Sequence, residues 1–211
     1  MKNYKELLSE LPSKTVVFTC GRFNPPNVGH ELSVKVVRKL AIQRKADHFV
    51  FVSSTNDAKK NPLDISKKMQ YLGTMFPNTR FVPREIDNIY STLKNYKHLI
   101  MVVPADSVEY YKKLVKKNKL NGVEFITAGS KCPDEDDKLI KSATKGNYTL
   151  FKSGLPTTVR ELDGKRLMND VRSGIGLEPI KEQINLVKDK LREQYFRGEI
   201  FKIDDIVESD S

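Results

Sequence analysis

Five short apolar runs recur along the 211-residue chain, and helical patterns lie between them. The runs cover residues 15–19, 48–52, 79–82, 98–103 and 123–128. Several are continuous stretches of β-branched and aromatic residues, which is typical of strands buried on both faces of a parallel sheet. Because right-handed crossovers make successive strands of βαβ units parallel, the pattern predicts an α/β fold with a doubly wound, parallel five-stranded sheet.

Apolar residues at helical spacing occupy the segments around these runs. The predicted helices lie at about residues 1–13, 29–45, 65–76, 87–95, 110–115, 162–171 and 180–196. Asp64, Asp87 and Asp106 precede three of these helices, and we predict that they act as N-caps.

Residues 20–30, here called the signature loop, read Cys-Gly-Arg-Phe-Asn-Pro-Pro-Asn-Val-Gly-His and join the first strand to a long helix. Gly21 has no Cβ, so a ligand can approach the backbone there. Gly29 and His30 fall at the helix start, where unpaired N–H groups and the positive end of the helix dipole favour an anion. The His30 imidazole adds a donor, so the loop predicts a phosphate site. The alternative interpretation is an ordinary turn before a helix.

The signature loop resembles the G-x-F-x-P-x-H/T-x-G-H motif of the HIGH superfamily of nucleotidyltransferases. Five positions match the motif in register: Gly21, Phe23, Pro25, Gly29 and His30. Arg22 completes a Gly-Arg-Phe opening that is similar to that of nicotinamide-mononucleotide adenylyltransferases and related phage proteins. The resemblance implies a Rossmann-like sheet of order 3-2-1-4-5, with the ligand at the carboxyl ends of the strands.

The resemblance also implies roles for individual residues. His30 would donate to the nucleotide phosphates with help from Asn27, and these two are the predicted catalytic residues. Asn27 stands where the family usually has His or Thr, and its amide can donate but carries no charge. The predicted nucleotide-binding residues are Gly21, Arg22, Phe23, Asn27, Gly29, His30, Lys138 and Arg160.

Family members carry a second motif after the fifth strand, of the type Ile-Ser-Ser/Gly-Thr-x-x-Arg, and this chain does not keep it intact. If residues 137–143 take its place, as the phage relatives suggest, Lys138 and Lys141 are the only cations left. If residues 157–160 take its place, the Thr-x-x-Arg spacing is kept and Arg160 is the cation. Both alternatives remain open, and both make this half of the site degenerate.

Polar residues follow the second and fourth strands, at the sheet edge where open α/β folds bind ligands. Ser53 and Ser54 end the second strand, and Lys60 lies farther along the same loop. Asp106 follows the fourth strand and resembles the family segment that often reads Gly-x-Asp. The resemblance predicts that these four residues bind the acceptor. A polar surface loop, and simple helix capping by Asp106, are the alternatives.

Composition narrows the classes of partner. The net charge of +10 and the pI near 9.4 favour anions such as a nucleoside triphosphate or a nucleic acid. Lysines are spread along the chain without interleaved aromatic residues, so nucleic-acid binding ranks last. The two cysteines, Cys20 and Cys132, lack metal-ligand neighbours at short spacing, which argues against a zinc site or a disulfide framework.

The length and the hydrophobic content of 38% suit a single α/β domain with a modest appendage. We expect a nucleotidyltransferase domain over residues 1–156, a helical extension packed on it over 157–200, and a disordered acidic tail over 201–211. No apolar run reaches membrane length and the first residues lack a secretory signal, so we expect a cytoplasmic protein without a membrane partner. Homo-oligomer formation is left open.

Two functions from different classes follow. In the first, an enzyme transfers a nucleotidyl group, with AMP favoured over CMP, from ATP or CTP to a phosphorylated small molecule such as nicotinamide mononucleotide, and releases pyrophosphate. Substrate-bound Mg²⁺ would bridge phosphate oxygens, and no metal site built from protein side chains is predicted. In the second, a catalytically silent nucleotide-binding or scaffold protein keeps the signature loop and has lost the second motif.

Overall fold

The computed structural model describes residues 14–84, 89–117, 119–128 and 135–181. Their central feature is a five-stranded sheet in which every pair of neighbouring strands is parallel. The strands are β1 (Thr15–Gly21), β2 (Asp47–Val52), β3 (Phe81–Pro83), β4 (His98–Val103) and β5 (Val123–Thr127). The order β3-β2-β1-β4-β5 confirms the prediction, and it makes β1 the strand at which the winding reverses.

Helices cover both faces of this sheet, as the predicted doubly wound fold requires. They are α1 (Val28–Arg44), α2 (Ile65–Met75), α3 (Tyr90–Leu93), α4 (Val108–Lys117), α5 (Glu135–Thr144), α6 (Tyr148–Ser153) and α7 (Glu161–Gly174). A 3₁₀ turn, Ala105–Ser107, joins β4 to α4. Within the described residues, no helix has the length and apolar character that a bilayer span requires.

Alternate residues of β1 enter different parts of the core, which explains why its central residues Val16, Val17 and Phe18 are all apolar. Val16 and Phe18 pack in a cluster that includes Leu93 of α3. Val17 packs with Val37 of α1 on the other face. Since both faces are covered, neither set of side chains could be polar without a buried partner.

The helices α5, α6 and α7 join a core cluster that they share with β2 and α2. Leu139 of α5, Phe151 of α6 and Leu167 of α7 are fully or almost fully buried there, together with Val50 and Leu72. The shared core fixes the start of α5 relative to the sheet, and the candidate site depends on that placement.

Polar contacts also tie α7 to the β2–α2 region. Asp170 accepts hydrogen bonds from the Tyr71 hydroxyl at 2.6 Å and from Lys67 Nζ at 2.8 Å. At the end of α7, a Cβ on Gly174 would lie 1.9 Å from the Pro62 carbonyl oxygen, so only glycine fits. The chain segments before α2 and at the end of α7 are therefore in direct contact.

The structure corrects one local prediction, confirms a second and leaves a third untested. The third strand covers Phe81–Pro83 rather than residues 79–82, because Asn78 has a φ of 65° and the chain is still turning there. Asp106 lies inside the 3₁₀ turn that joins β4 to α4, and Pro104 occupies the cap position of that turn, so the capping of α4 by Asp106 stays a prediction. The predicted cap at Asp64 is confirmed, since its side chain accepts from Lys67 N at 2.9 Å.

Several sequence-based predictions lie outside the described residues. These are the helix at 1–13, the cap at Asp87, most of the helix at 180–196 and the tail at 201–211.

Candidate active site

The signature loop leaves β1 at its carboxyl end and is held there by a buried amide. Asn24 is fully buried, and its side chain donates to the Leu63 carbonyl oxygen and accepts from Leu63 N, both at 2.8 Å. This paired contact mimics backbone pairing and fixes the loop to the segment before α2. Phe23, just before it, has a φ of 50°, and its ring is buried in the core shared with α2 and α7.

Asn27 and His30 form a reciprocal cap at the start of α1. The Asn27 side-chain oxygen accepts from His30 N at 2.9 Å, and Asn27 N donates to His30 Nδ1 at 3.2 Å. The arrangement is a capping box in which His30 takes the place that Glu or Gln usually has. Because Nδ1 accepts a hydrogen bond, the proton of the neutral ring belongs on Nε2, which is left as a donor.

The His30 ring is held neutral by its surroundings. It stacks on Phe23 with the ring centroids 4.2 Å apart. Burial lowers the His30 pKa to about 3, the positive charge of Arg22 acts in the same direction, and Glu135 opposes them. His30 can therefore act as a neutral hydrogen-bond donor at physiological pH without gaining a charge.

The first turn of α5 faces the signature loop and carries three acidic residues, Glu135, Asp136 and Asp137, here called the acidic turn. Asp136 accepts from Asn27 Nδ2 at 2.6 Å and from an Arg22 guanidinium nitrogen at 3.0 Å. Glu135 accepts from Gly29 N at 3.3 Å. Three donors of the signature loop, on Arg22, Asn27 and Gly29, are thus paired with carboxylates of α5.

Burial makes the Asp136 carboxyl a weaker acid than an exposed aspartic acid. The residue is 7% exposed, and desolvation raises its pKa to about 6 even though Arg22 and Asn27 favour the charged form. Asp137 and Glu135 add to the increase by like-charge repulsion. Among the described residues, two donors stabilise the Asp136 carboxylate, and its burial brings its pKa closer to neutral pH.

The signature loop and the acidic turn line one cleft of about 270 Å³, here called the signature cleft. Its other wall comes from the β4–α4 region, with Pro104, Ser107 and Tyr111. The Tyr111 hydroxyl donates to the Cys20 carbonyl oxygen at 3.1 Å, which ties α4 to the end of β1. The cleft combines donors, an apolar wall and a helix N-terminus, as a site for a phosphorylated ligand would.

A family model described as cytidylyltransferase-like matches residues 18–159 of the chain. This match covers well over half of the sequence and contains both the signature loop and the acidic turn. The chain belongs to the cytidylyltransferase-like family. Membership of this family suggests nucleotidyltransferase activity and a nucleoside triphosphate substrate. A comparison with curated proteins found no significant match.

The structure brings most of the predicted nucleotide-binding residues of this cytidylyltransferase-like chain together. Six of them line the signature cleft: Gly21, Arg22, Phe23, Asn27, Gly29 and His30. A Cβ on Gly21 would lie 3.0 Å from the Phe23 ring, so glycine there lets the loop fold back on itself.

The other two predicted nucleotide-binding residues, Lys138 and Arg160, lie elsewhere. Lys138 borders a separate cavity of about 420 Å³ between α5 and α6. Arg160 immediately precedes α7, with an exposed side chain that pairs with Asp163 at 2.8 Å, and it borders a third cavity of about 440 Å³ next to α2. Neither lines the signature cleft, so their roles in binding the triphosphate remain predictions.

The predicted acceptor-binding residues lie around the carboxyl edge of the sheet. Ser53 N donates to the Gly21 carbonyl oxygen at 3.0 Å, so the β2 loop contacts the signature loop. Ser54 and Lys60 are exposed on that β2 loop, and Asp106 is exposed beside Ser107, which lines the cleft. Their contacts with an acceptor remain predictions.

Sequence reasoning missed Glu135 and Asp136, which the structure places nearest to the predicted phosphate donors. Their signal was a run of acidic residues just before a helical pattern, which is also typical of any helix N-terminus. It also missed Glu31, which is 2% exposed and accepts from Thr157 N at 2.8 Å and Thr157 Oγ1 at 2.6 Å. That contact places the start of the Thr-x-x-Arg segment against α1.

Proposed function

We propose that this protein transfers a nucleotidyl group, with AMP favoured over CMP, from a nucleoside triphosphate to a phosphorylated small molecule and releases pyrophosphate. The observation that carries the proposal is the capping box at the start of α1. It fixes a neutral His30, with Nε2 as its donor, in the same cleft as Gly29 N, Asn27 and Arg22. Donors held in place before a ligand arrives are what phosphate transfer needs most.

The reaction needs no nucleophilic side chain. An oxygen of the acceptor phosphate attacks the α-phosphorus in line, the bond between the α-phosphorus and its bridging oxygen to the β-phosphate breaks, and pyrophosphate leaves with the bonding electrons. The protein binds both substrates in that alignment and stabilises the charge that develops on the phosphate oxygens. In this scheme His30 donates from Nε2, while Gly29 N and the Asn27 amide supply neutral donors.

Mg²⁺ would accompany the triphosphate as part of the substrate. Held by phosphate oxygens and water, the ion would neutralise charge on the phosphates and would need few ligands from the protein. Among the described residues, no three His, Cys, Asp or Glu side chains are grouped as metal ligands. Among the described residues, Asp136 and Glu135 are the carboxylates of the cleft through which the protein would contact such an ion.

The preference for ATP and for nicotinamide mononucleotide rests on the sequence. The opening Gly21-Arg22-Phe23 is similar to that of adenylyltransferases acting on this mononucleotide, whereas the usual cytidylyltransferase form differs at Asn24 and Asn27. Asn24 has a structural role, because its side chain pairs with the backbone of Leu63. The acceptor-binding roles of Ser53, Ser54, Lys60 and Asp106 belong to the same proposal.

A second candidate is a silent nucleotide-binding or scaffold protein. The contacts of Asp136 with Arg22 and Asn27 support it, because carboxylates already use donors that a transferase needs for phosphate. This candidate predicts nucleotide affinity without turnover.

The test is Mg²⁺-dependent pyrophosphate release from ATP and from CTP, each with a panel of phosphorylated acceptors that begins with nicotinamide mononucleotide. Release that requires both a triphosphate and one acceptor supports the transferase and names its substrates. Nucleotide binding without release for any acceptor supports the silent binder and overturns the transferase.

A further inference from the structure

The acidic turn of α5 makes the contacts that a bound phosphate would be expected to make. Asn27 Nδ2 and Arg22 donate to the two oxygens of Asp136, and Gly29 N donates to Glu135. All three donors belong to the signature loop, on which the proposed function depends. We propose that the acidic turn competes with substrate phosphate for these donors, so that a nucleoside triphosphate binds only when Asp136 and Glu135 are displaced. This inference rests on the proposed function of the same cleft.

The competition follows from the chemistry of the donors. A guanidinium, a side-chain amide and a backbone N–H at a helix start all prefer an anionic oxygen acceptor, which either a carboxylate or a phosphate can supply. Asp136 uses both of its oxygens, one on each of two signature-loop donors. A phosphate cannot reach the same hydrogens until those two contacts break.

A triphosphate and the charged acidic turn also repel each other. Asp136 lies between Glu135 and Asp137 on one helical turn, and Arg22, which pairs with Asp136, is the one guanidinium in the described part of the cleft. A triphosphate added beside them brings further negative charge into a partly desolvated space, where like charges interact more strongly than in water. Displacement relieves this repulsion.

Displacement does not require the helix to leave the core. The apolar anchors of α5 are Leu139, Ile140 and Ala143, all at least three residues beyond Asp136. Rotation of the Asp136 and Glu135 side chains is enough to release the signature-loop donors. Asp136 is 7% exposed, and its described partners are one guanidinium and one neutral amide, so its buried charge is only partly compensated, which weakens the contact that phosphate has to replace.

The experiment measures binding of inorganic tripolyphosphate and of Mg²⁺-ATP to the full chain by calorimetry, for the wild type and for Asp136→Asn, Glu135→Gln and Asp137→Asn. Asp137→Asn is the matched control, because it removes one charge from the same turn and no described hydrogen bond joins Asp137 to the signature loop. We expect the affinity for tripolyphosphate to rise about tenfold in Asp136→Asn, equivalent to about 1.4 kcal/mol. Glu135→Gln should show a smaller rise and the control less than about a twofold change.

Unchanged or weaker binding in Asp136→Asn, with native thermal unfolding, overturns the proposal and makes Asp136 a positioning residue for Asn27. If Asp136→Asn does not fold, Glu135→Gln decides: tighter binding than the control supports the proposal, and no difference overturns it. Equal gains in all three variants also overturn it, since they would show only a change in net charge. Binding is read separately from pyrophosphate release, so tighter binding without turnover supports the competition while rejecting the transferase.

Discussion

The signature loop and the acidic turn line the same cleft but offer opposite chemistry. The loop provides donors, namely Gly29 N, the Asn27 amide and the Arg22 guanidinium, and the turn provides the carboxylates of Glu135 and Asp136. A transferase of the type that the sequence resembles would have hydroxyls and an arginine after the fifth strand. In the proposed phosphate site, therefore, one half keeps the donor residues of the family motif, while the other half carries carboxylates where the family has a cation.

We expect the largest effect on activity from a change in the signature loop, which is the donor half of the cleft. His30→Ala removes the Nε2 donor and the reciprocal cap, so we expect pyrophosphate release to fall about a hundredfold or more, the usual cost of removing one donor to developing charge. His98→Ala is the matched control, because His98 is exposed at the start of β4, on the opposite edge of the sheet. Equal losses in both variants would contradict the assignment of His30 to the reaction.

Asn24 attaches the signature loop to Leu63 and is not one of the proposed phosphate donors, so its structural role can be tested separately. Asn24→Ala leaves the buried N–H and C=O of Leu63 without their partners, and we expect the free energy of unfolding to fall by about 2 kcal/mol. Denaturant titration measures this, with Asn56→Ala on the exposed loop after β2 as control. A loss as small as that of the control would show that the amide pairing does not hold the loop.

The pKa of His30 gives a prediction for the donor half. Because the unfolded ring takes up a proton near pH 6.5 and the folded ring near 3, protonation favours unfolding, and this group lowers stability as the pH falls below about 6.5. The ring resonances of His30 should stay constant between pH 5 and 8 in an NMR titration. A midpoint near 6.5 would contradict a neutral ring held by Asn27 and Phe23.

We expect the smallest effect from the acidic turn, where a change of pH alters the charge of Asp136. Asp136 has an ordinary pKa of 3.8 and a folded value of about 6, so the folded chain retains this proton between those values and loses it as the pH rises through 6. The charges that face Asp136 are Arg22, Glu135 and Asp137, with Asn27 as a neutral donor. Lowering the pH from 7.5 to 5.5 should therefore weaken the contact.

We expect the ratio of tripolyphosphate affinities between Asp136→Asn and the wild type to shrink a few-fold over that change in pH. Calorimetry at the two pH values measures this ratio, and the protonation of tripolyphosphate itself cancels in the comparison of the two proteins. A ratio that does not depend on pH would contradict the titration of Asp136 near 6.

Much of the fold followed from local sequence patterns. The apolar run of β1 and the glycine and prolines after it are visible in the sequence, and the family resemblance supplied the strand order. Only part of the role of Asn27 could be predicted from the sequence. Its departure from the family's His or Thr was evident, but the reciprocal cap with His30 depends on a rotamer that sequence does not show.

The second half of the site was beyond sequence reasoning for a physical reason. Acidic residues at 135–137 are what any helix start favours, so they carry no sign of a distant partner. The proposed role of Asp136 depends on its tertiary contacts with Arg22 and Asn27, which lie more than one hundred residues away in the chain. Lys138 and Arg160 were chosen for their charge, which does not determine which cavity they border.

The most direct test of the account is a crystal structure of the full chain with Mg²⁺ and α,β-methylene ATP, whose α–β linkage cannot be cleaved. We predict that the phosphates contact Gly29 N, Asn27 and His30, and that the Asp136 carboxylate has turned away from Arg22. Phosphates bound beside Lys138 or Arg160 instead, with Asp136 still paired to Arg22 and Asn27, would contradict both the site and the competition for its donors.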